Sequence, residues 1–166
     1  IEEEPPTIEL QEFGGNYNEW TYERSDLVAE DFVITSDFIF PKRGGDTSPT
    51  DLGGSLNLWF FTNSDSSEYI ELSIPTVNGI QLLQRSSSGL TRIKSVSFLA
   101  SSEKYLLKIA CFDNTLTLIL NNNVMFSEEL PNTSGDKIYL FGKNFIGGIP
   151  SIENFKFWNL EGVAFN

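Results

Sequence analysis

Apolar and polar residues alternate along most of the chain, which is the pattern of strands that bury one face. The clearest example is the segment 104–126, KYLLKIACFDNTLTLILNNNVMF. Apolar residues recur at every second position on either side of Asp113-Asn114 and of the run 121–123. Because Asn and Asp tolerate the left-handed backbone of tight turns, we predict three antiparallel strands joined by two such turns. The apolar rows of this meander require a second sheet to cover them.

The same alternation continues on both sides of the meander. Apolar and polar residues alternate well over the segment 31–40, which predicts a strand that stops before Pro41. Residues 41–54 then form a loop that is too long for a hairpin connection. Other strands are predicted at 8–13, 17–24, 55–62, 68–74, 80–85, 90–99, 137–141 and 152–160. Short strands with turn residues between them, and little helical periodicity, predict an all-β fold, a β-sandwich of two antiparallel sheets.

Chain length and the N-terminal composition predict the domain organisation. With 166 residues, the chain is expected to form one domain with a single core. Residues 1–7, IEEEPPT, combine like charges with two prolines and predict an acidic linker to another part of a larger protein. Residues 8–166 then form the single sandwich domain.

Charge and missing residue types argue against several functions. The formal net charge of −12 disfavours a nucleic-acid partner and binding to anionic membranes, because both depend on basic residues. No segment is long and apolar enough to insert into a membrane. Histidine is absent, which removes the usual general base near neutral pH and the commonest zinc ligand. Cys111, the single cysteine, lies in an apolar strand row, and we expect it to be a buried structural thiol.

Several phrases of the sequence resemble one superfamily in the order in which they occur. GSLNLWF leads into EYIELSI, NGIQLLQR follows, then YLLKIACFDNTLTLILNNNVMF, and IENFKFWNL comes last. Over residues 17–160 this order resembles the concanavalin A-like lectin/glucanase superfamily, most closely its laminin G-like members and the domain of 3-keto-disaccharide hydrolases. The resemblance implies a jelly roll of two curved sheets, one of them concave and often used to hold sugars. It implies no single function, because the superfamily includes enzymes, lectins and adhesion modules.

The strands between 55 and 85 carry the residues that best fit a sugar-binding site. Such a site needs flat rings that stack on sugar rings and a few polar groups that bind hydroxyls. Alternation places a row of suitable residues on the face away from the core: Asn57, Trp59, Tyr69, Glu71 and Arg85. We predict stacking on Trp59 or Tyr69 and hydrogen bonds from the other three. In the alternative interpretation, Trp59 and Phe61 are buried in the core or beneath the long loop.

The resemblance does not extend to the catalytic residues of glucanases. Those enzymes carry acidic residues on one strand as Glu-x-Asp-x-x-Glu or Glu-x-Asp-x-Glu, and the nearest match here, Glu68-Tyr69-Ile70-Glu71, departs from that pattern. Glu68 and Glu71 are three residues apart and point to opposite faces of a strand, which argues against a catalytic pair. A catalytic pair formed by Glu71 and an acidic residue of the loop 46–51 remains an open alternative.

Acidic loops offer oxygen ligands for calcium. Two groups qualify, Asn63, Asp65 and Glu68 in one turn and Asp46 and Asp51 in the long loop. Since no EF-hand spacing is present, we predict no cofactor and keep calcium as an open alternative.

These observations predict a non-catalytic carbohydrate-binding module that belongs to a larger protein and lies outside the cell or at the cell surface. Its predicted partner is a polysaccharide or other glycan. Two alternatives remain open. The first is a laminin G-like protein-interaction or adhesion domain that works through its loops. The second is a glycoside hydrolase-like enzyme, which requires two carboxylates about 5 to 10 Å apart in one cleft.

Overall fold

The computed structural model describes residues 2–3, 24–42, 52–133, 135–143 and 148–160. Within these ranges the chain forms twelve β-strands and no helix, which confirms the prediction of an all-β fold. The strands are β1 (Glu2–Glu3), β2 (Arg24–Val28), β3 (Phe32–Ile39), β4 (Ser55–Thr62), β5 (Tyr69–Pro75), β6 (Ile80–Ser86), β7 (Gly89–Val96), β8 (Lys104–Phe112), β9 (Thr115–Leu120), β10 (Asn123–Glu129), β11 (Lys137–Lys143) and β12 (Ser151–Asn159).

The strands form two six-stranded antiparallel sheets, called sheet 1 and sheet 2 below. Sheet 1 has the order β1-β12-β3-β8-β9-β10, and sheet 2 has the order β2-β11-β4-β5-β6-β7. Strands β11 and β12, late in the chain, each lie beside a strand from its first third. A double-sheet sandwich in which the chain crosses repeatedly between the sheets is a jelly roll, so the predicted fold class is confirmed.

The two turns of the β8–β10 meander have the predicted backbone. Asp113 and Asn114 have φ values of 48° and 64°, and Asn121 and Asn122 have values of 49° and 65°. Two successive residues with positive φ form the type I′ turn, whose twist matches that of the flanking strands. Asn and Asp reach this conformation at lower cost than most other side chains. The turns therefore set the register of β8 with β9 and of β9 with β10.

The core lies between the sheets and is centred on stacked phenylalanines. Phe32 of sheet 1 stacks on Phe60 of sheet 2 with 5.6 Å between the ring centroids, and on Phe157 of its own sheet at 6.1 Å. All three rings are almost completely buried. Because each buried aromatic ring removes roughly 150–250 Å² from water, these contacts contribute strongly to holding the sheets together.

Cys111 lies in the core row of β8 and is fully buried. Burial, and after it the charge of Asp31, raise the pKa of the thiol to about 12. The thiolate, which is the nucleophilic form, is therefore scarce at neutral pH. This environment fits the structural role expected for the cysteine.

Phe61 departs from the alternation predicted for β4. The alternation puts it on the same face as Trp59, but its backbone has a φ of 53° and its ring lies in the core, 6.3 Å from that of Phe32. A register shift between Lys137 and Tyr139 of β11 accommodates the extra residue, as in a β-bulge. The outer position that strict alternation along β4 predicts for Phe61 is therefore wrong, and the alternative interpretation, a buried Phe61, is correct.

The predicted linker and first strands fall mostly outside the described residues. Glu2 and Glu3 form β1 and pair with Trp158 and Phe157 of β12. The rest of the linker, the predicted strand 8–13 and nearly all of 17–24 are not described. The division into residues 1–7 and 8–166 therefore stays a prediction.

The stack of Phe32 on Phe60 predicts a large loss of stability when one ring is removed. Phe60→Ala is expected to lower the free energy of unfolding by about 3–5 kcal/mol, because it removes buried surface and leaves a cavity. Phe112→Ala is the matched control, since that ring is 49% exposed and its loss should cost about 1 kcal/mol or less. Urea unfolding followed by circular dichroism measures both values, and equal losses would contradict a core centred on these rings.

Candidate functional site

The outer face of sheet 2 carries the residues predicted to bind a sugar. On β5, Ile70 and Leu72 belong to the core cluster, so Tyr69 and Glu71 lie on the opposite face. The strand register places Trp59 of β4 directly opposite Glu71. Side chains of cross-strand neighbours on one face of a sheet are close enough for direct contact, so the strand register brings these residues together.

Trp59 is fixed by three neighbouring side chains. Its indole N–H donates a hydrogen bond to Oε2 of Glu71 at 2.7 Å. Its ring stacks on that of Tyr69, with 3.9 Å between the centroids and 13° between the planes. The ring of Tyr139 on β11 meets it nearly at a right angle, at 6.1 Å. The indole is therefore half-buried and held in one orientation.

Tyr69 connects the tryptophan to Arg85 of β6. The Nε–H of Arg85 donates to the Tyr69 hydroxyl at 2.9 Å, and the guanidinium carbon lies 5.9 Å from the centroid of the tyrosine ring. Burial raises the pKa of the Tyr69 phenol, although the hydrogen bond and the charge of Arg85 oppose that shift. The phenol therefore stays neutral. Among the described residues, none accepts a hydrogen bond from the two terminal nitrogens of Arg85.

Asn57 lies further along the same face but is only 1% exposed. Its side-chain oxygen accepts a hydrogen bond from Oγ of Ser55 at 2.9 Å. The same Ser55 oxygen lies 3.4 Å from Oγ of Ser73 on β5. Asn57 thus belongs to an internal polar network between β4 and β5, whereas Trp59, Glu71 and Arg85 reach the surface.

Four of the five predicted residues therefore form one bonded group, called the Trp59 cluster below: Trp59, Tyr69, Glu71 and Arg85. The second carboxylate oxygen of Glu71, Oε1, has no donor among the described residues. A carboxylate only accepts hydrogen bonds and a guanidinium only donates them. The cluster thus offers one acceptor and one donor group beside an oriented aromatic ring. The binding role of the five residues stays a prediction.

Tyr139 could not be placed beside Trp59 from the sequence. The strand that contains it was predicted, but the order of strands in a sheet depends on long-range pairing that periodicity does not record. Strand β11 pairs with β4, about 80 residues earlier in the chain, and its register puts Tyr139 opposite Trp59.

Strands β4, β5, β6 and β7 do not provide a pair of carboxylates. Glu71 is the one acidic residue in β4, β5, β6 and β7. Glu68 lies before β5, in the turn that follows β4. The loop residues 46–51, considered as partners for Glu71, fall outside the described residues.

In the turn considered as one calcium site, side-chain oxygens accept hydrogen bonds from other residues of the same turn. Oδ1 of Asp65 accepts hydrogen bonds from the hydroxyl and from the backbone N–H of Ser67, and these bonds lower the pKa of its carboxyl. Oδ1 of Asn63 accepts from the backbone N–H of Glu68. Within the described ranges, no group of three or more acidic or cysteine side chains is arranged to hold a metal ion. Asp46 and Asp51 are not described, so calcium stays an untested alternative.

An acidic cleft of about 450 Å³ lies at one end of the sandwich. Glu30, Asp31 and Asp113 contribute its carboxylates, and Asn132 also lines it. Oδ1 of Asp31 accepts a hydrogen bond from the backbone N–H of Asp113 at 3.0 Å, so it fastens the β8–β9 turn to the start of β3. These residues come from loops far apart in the sequence, and no pattern along the chain marked them as a group.

Comparison with solved structures finds the same fold in three kinds of protein. The carbohydrate-binding module CBM66 from Bacillus subtilis aligns with a TM-score of 0.62 at 12% identity, over 93% of this chain and 94% of that chain. Sheep galectin-11 aligns with a TM-score of 0.61 at 10% identity, over 82% of this chain and 96% of its own. A glycosidic hydrolase aligns with a TM-score of 0.56 at 14% identity, over 95% of this chain and 78% of that enzyme.

At these identities the likeness establishes the fold. The neighbours are jelly-roll sandwiches, which is the fold that the resemblance to the concanavalin A-like superfamily implies. No protein-family model and no curated protein sequence matches the chain. Within the described residues, no helix has the length and apolar character that a membrane crossing requires.

Two substitutions at Tyr69 separate its polar contact from its ring contact. Tyr69→Phe removes the acceptor for Arg85 but keeps the stack on Trp59, and it is expected to lower the free energy of unfolding by about 1 kcal/mol. Tyr69→Ala removes both contacts and should cost about 3–5 kcal/mol. Urea unfolding measures the two values. A Tyr69→Ala variant as stable as Tyr69→Phe would show that the stack does not hold the cluster.

Proposed function

We propose that the domain is a non-catalytic carbohydrate-binding module that holds a glycan on the outer face of sheet 2. The Trp59 cluster is the observation that carries this proposal, because an oriented indole ring lies beside a fixed carboxylate and a fixed guanidinium. The fold supports it as well, since one structural neighbour is named a carbohydrate-binding module and another is a galectin.

In the proposed mechanism, the half-buried ring of Trp59 stacks on the apolar face of a sugar ring. A sugar hydroxyl both donates and accepts hydrogen bonds. Oε1 of Glu71 can accept a hydrogen bond from one hydroxyl, and the terminal nitrogens of Arg85 can donate to the oxygen of another. Because donor and acceptor occupy fixed places, the cluster selects sugars by the direction of their hydroxyl groups.

Tyr69 and Asn57 act in this mechanism through their neighbours. They are 7% and 1% exposed, so each has little surface to offer a ligand. Tyr69 holds both the indole and the guanidinium, and Asn57 bonds Ser55 within the strand pair that carries the cluster. Side chains that are already ordered lose less conformational entropy when a ligand binds.

Binding is preferred to catalysis because β4 to β7 supply a single carboxylate, whereas glycoside hydrolysis by the usual mechanisms needs two. The proposed partner, a polysaccharide or other glycan, is found mainly outside cells and on their surfaces. The proposed location of the domain is therefore extracellular or at the cell surface.

Glycan-array screening, followed by calorimetric titration with the best-bound oligosaccharide, tests the proposal. Glu71→Gln and Arg85→Lys are expected to weaken binding about tenfold or more, because each alters a charged hydrogen bond worth roughly 1.5–3 kcal/mol. Trp59→Ala should remove detectable binding. The two smaller changes are the decisive ones, since they leave the stack of Trp59 on Tyr69 in place.

Glu129→Gln is the matched control for Glu71→Gln. Glu129 is exposed on β10, at the edge of sheet 1, and its substitution should leave the affinity unchanged. Unaltered binding in both Glu71→Gln and Arg85→Lys would refute the site. Capture of a protein ligand with no response to any glycan would instead favour the laminin G-like alternative.

A further inference from the structure

A groove of about 350 Å³ lies on the outer face of sheet 1, on the opposite side of the sandwich from the Trp59 cluster. Thr35 of β3 forms its floor, and the register puts Lys156 of β12 and Lys108 of β8 directly on either side. Adjacent strands are about 4.8 Å apart, so the two lysine Cα atoms are about 10 Å apart. The groove, called the Trp158 groove below, is also lined by Asp37, Asn154 and Trp158.

Trp158 differs from Trp59 in its ring contacts and in the hydrogen bonding of its indole N–H. The N–H of Trp59 donates a hydrogen bond to Glu71, and its ring stacks on that of Tyr69. Within the described part of the chain, no ring packs on Trp158 in a stacked or edge arrangement, and its N–H has no acceptor. It is half-buried and lines the groove. An indole whose ring has no stacked partner and whose N–H has no acceptor is suited to stack on a sugar and to donate a hydrogen bond to one of its hydroxyls.

Lys108 gives the groove a positive charge in a chain whose net charge is −12. It makes no ion pair with a described residue. The carboxylate of Asp37 is compensated, because its Oδ2 accepts from Nδ2 of Asn154 at 2.9 Å and lies 3.6 Å from Nζ of Lys104. Glu2 of β1 pairs with Trp158, whereas two strands, β12 and β3, separate β1 from Lys108.

A β-bulge shapes one end of the groove. The register of β12 against β3 shifts between Glu153 and Lys156, and Asn154 within the shift has a φ of 53°. A positive φ inside a strand costs energy for any residue but glycine, and bulges re-aim side chains at binding sites. Here the bulge brings the amide of Asn154 onto Oδ2 of Asp37. Oδ1 of Asp37 is left without a donor among the described residues.

We propose that the Trp158 groove is a second saccharide site, selective for sugars that carry a carboxylate or a sulfate. The sugar ring stacks on Trp158, its anionic group pairs with Lys108, and one hydroxyl donates to Oδ1 of Asp37. The site is separate from the Trp59 cluster, because the core lies between the two outer faces. One domain can then hold two glycan chains, or two parts of one chain, on opposite sides.

Titration with an oligogalacturonate, and with a neutral oligosaccharide of equal length, tests the proposal. The uronate is expected to bind and to weaken when NaCl is raised from about 50 to about 500 mM, since salt screens the ion pair. Lys108→Met keeps the aliphatic stem but removes the charge, and it should reduce the affinity about tenfold or more. Lys108→Arg should retain most of the affinity. A parallel titration with dextran sulfate separates sulfate recognition from carboxylate recognition, and binding of either polymer through Lys108 supports the site.

Lys94→Met is the matched control, because it removes one positive charge from β7 of the other sheet. Weak general attraction between the domain and a polyanion would fall equally in Lys94→Met and Lys108→Met, and that result overturns the proposal. Binding that is lost in Arg85→Lys but kept in Lys108→Met would place the anion on sheet 2 and also overturn it. Failure of both anionic polymers to bind the wild-type chain has the same consequence.

Discussion

The stack of Phe32 on Phe60 joins the two sheets, and the rest of the structure depends on it. Side chains alternate between the faces of a strand, so fixing one face of β3 and β4 in the core fixes the other face outward. On β4 this places Trp59 on the outer surface, and on β3 it places Thr35 and Asp37 there. The packing that stabilises the sandwich therefore also produces two outer faces with a set order of side chains.

The fold was largely predictable from local patterns. The meander from β8 to β10 was predicted from alternation and from Asn and Asp at the turns, and the positive φ values of Asp113, Asn114, Asn121 and Asn122 confirm it. Phe61 was misplaced because a single residue with positive φ reverses the alternation, and Phe lacks the local signal that marks Asn or Gly. The neighbours of β11 and β12 depend on pairing across most of the chain, which no local pattern records.

The candidate site was predicted less completely, for a physical reason. Alternation tells which face a residue occupies, and Trp59, Tyr69, Glu71 and Arg85 do share one face. Alternation does not tell how much of each side chain remains exposed once neighbouring side chains pack on it. Tyr69 and Asn57 therefore proved to be almost buried. Trp158 has no hydrogen bond or ring contact with a described side chain, and it lines a groove.

A ligand site on the outer face of sheet 2 and a ligand site on the loops lie on different parts of this fold. The Trp59 cluster, whose side chains contact one another, lies on the sheet. Nitrogen-15 NMR of the wild-type domain, titrated with the oligosaccharide that it binds best, distinguishes the two most directly. We expect the largest shifts at the indole N–H of Trp59 and at the amides of β4, β5 and β6 around it. Shifts confined to the loops at the ends of the sandwich, with these signals unmoved, would contradict a carbohydrate site on the outer face of sheet 2.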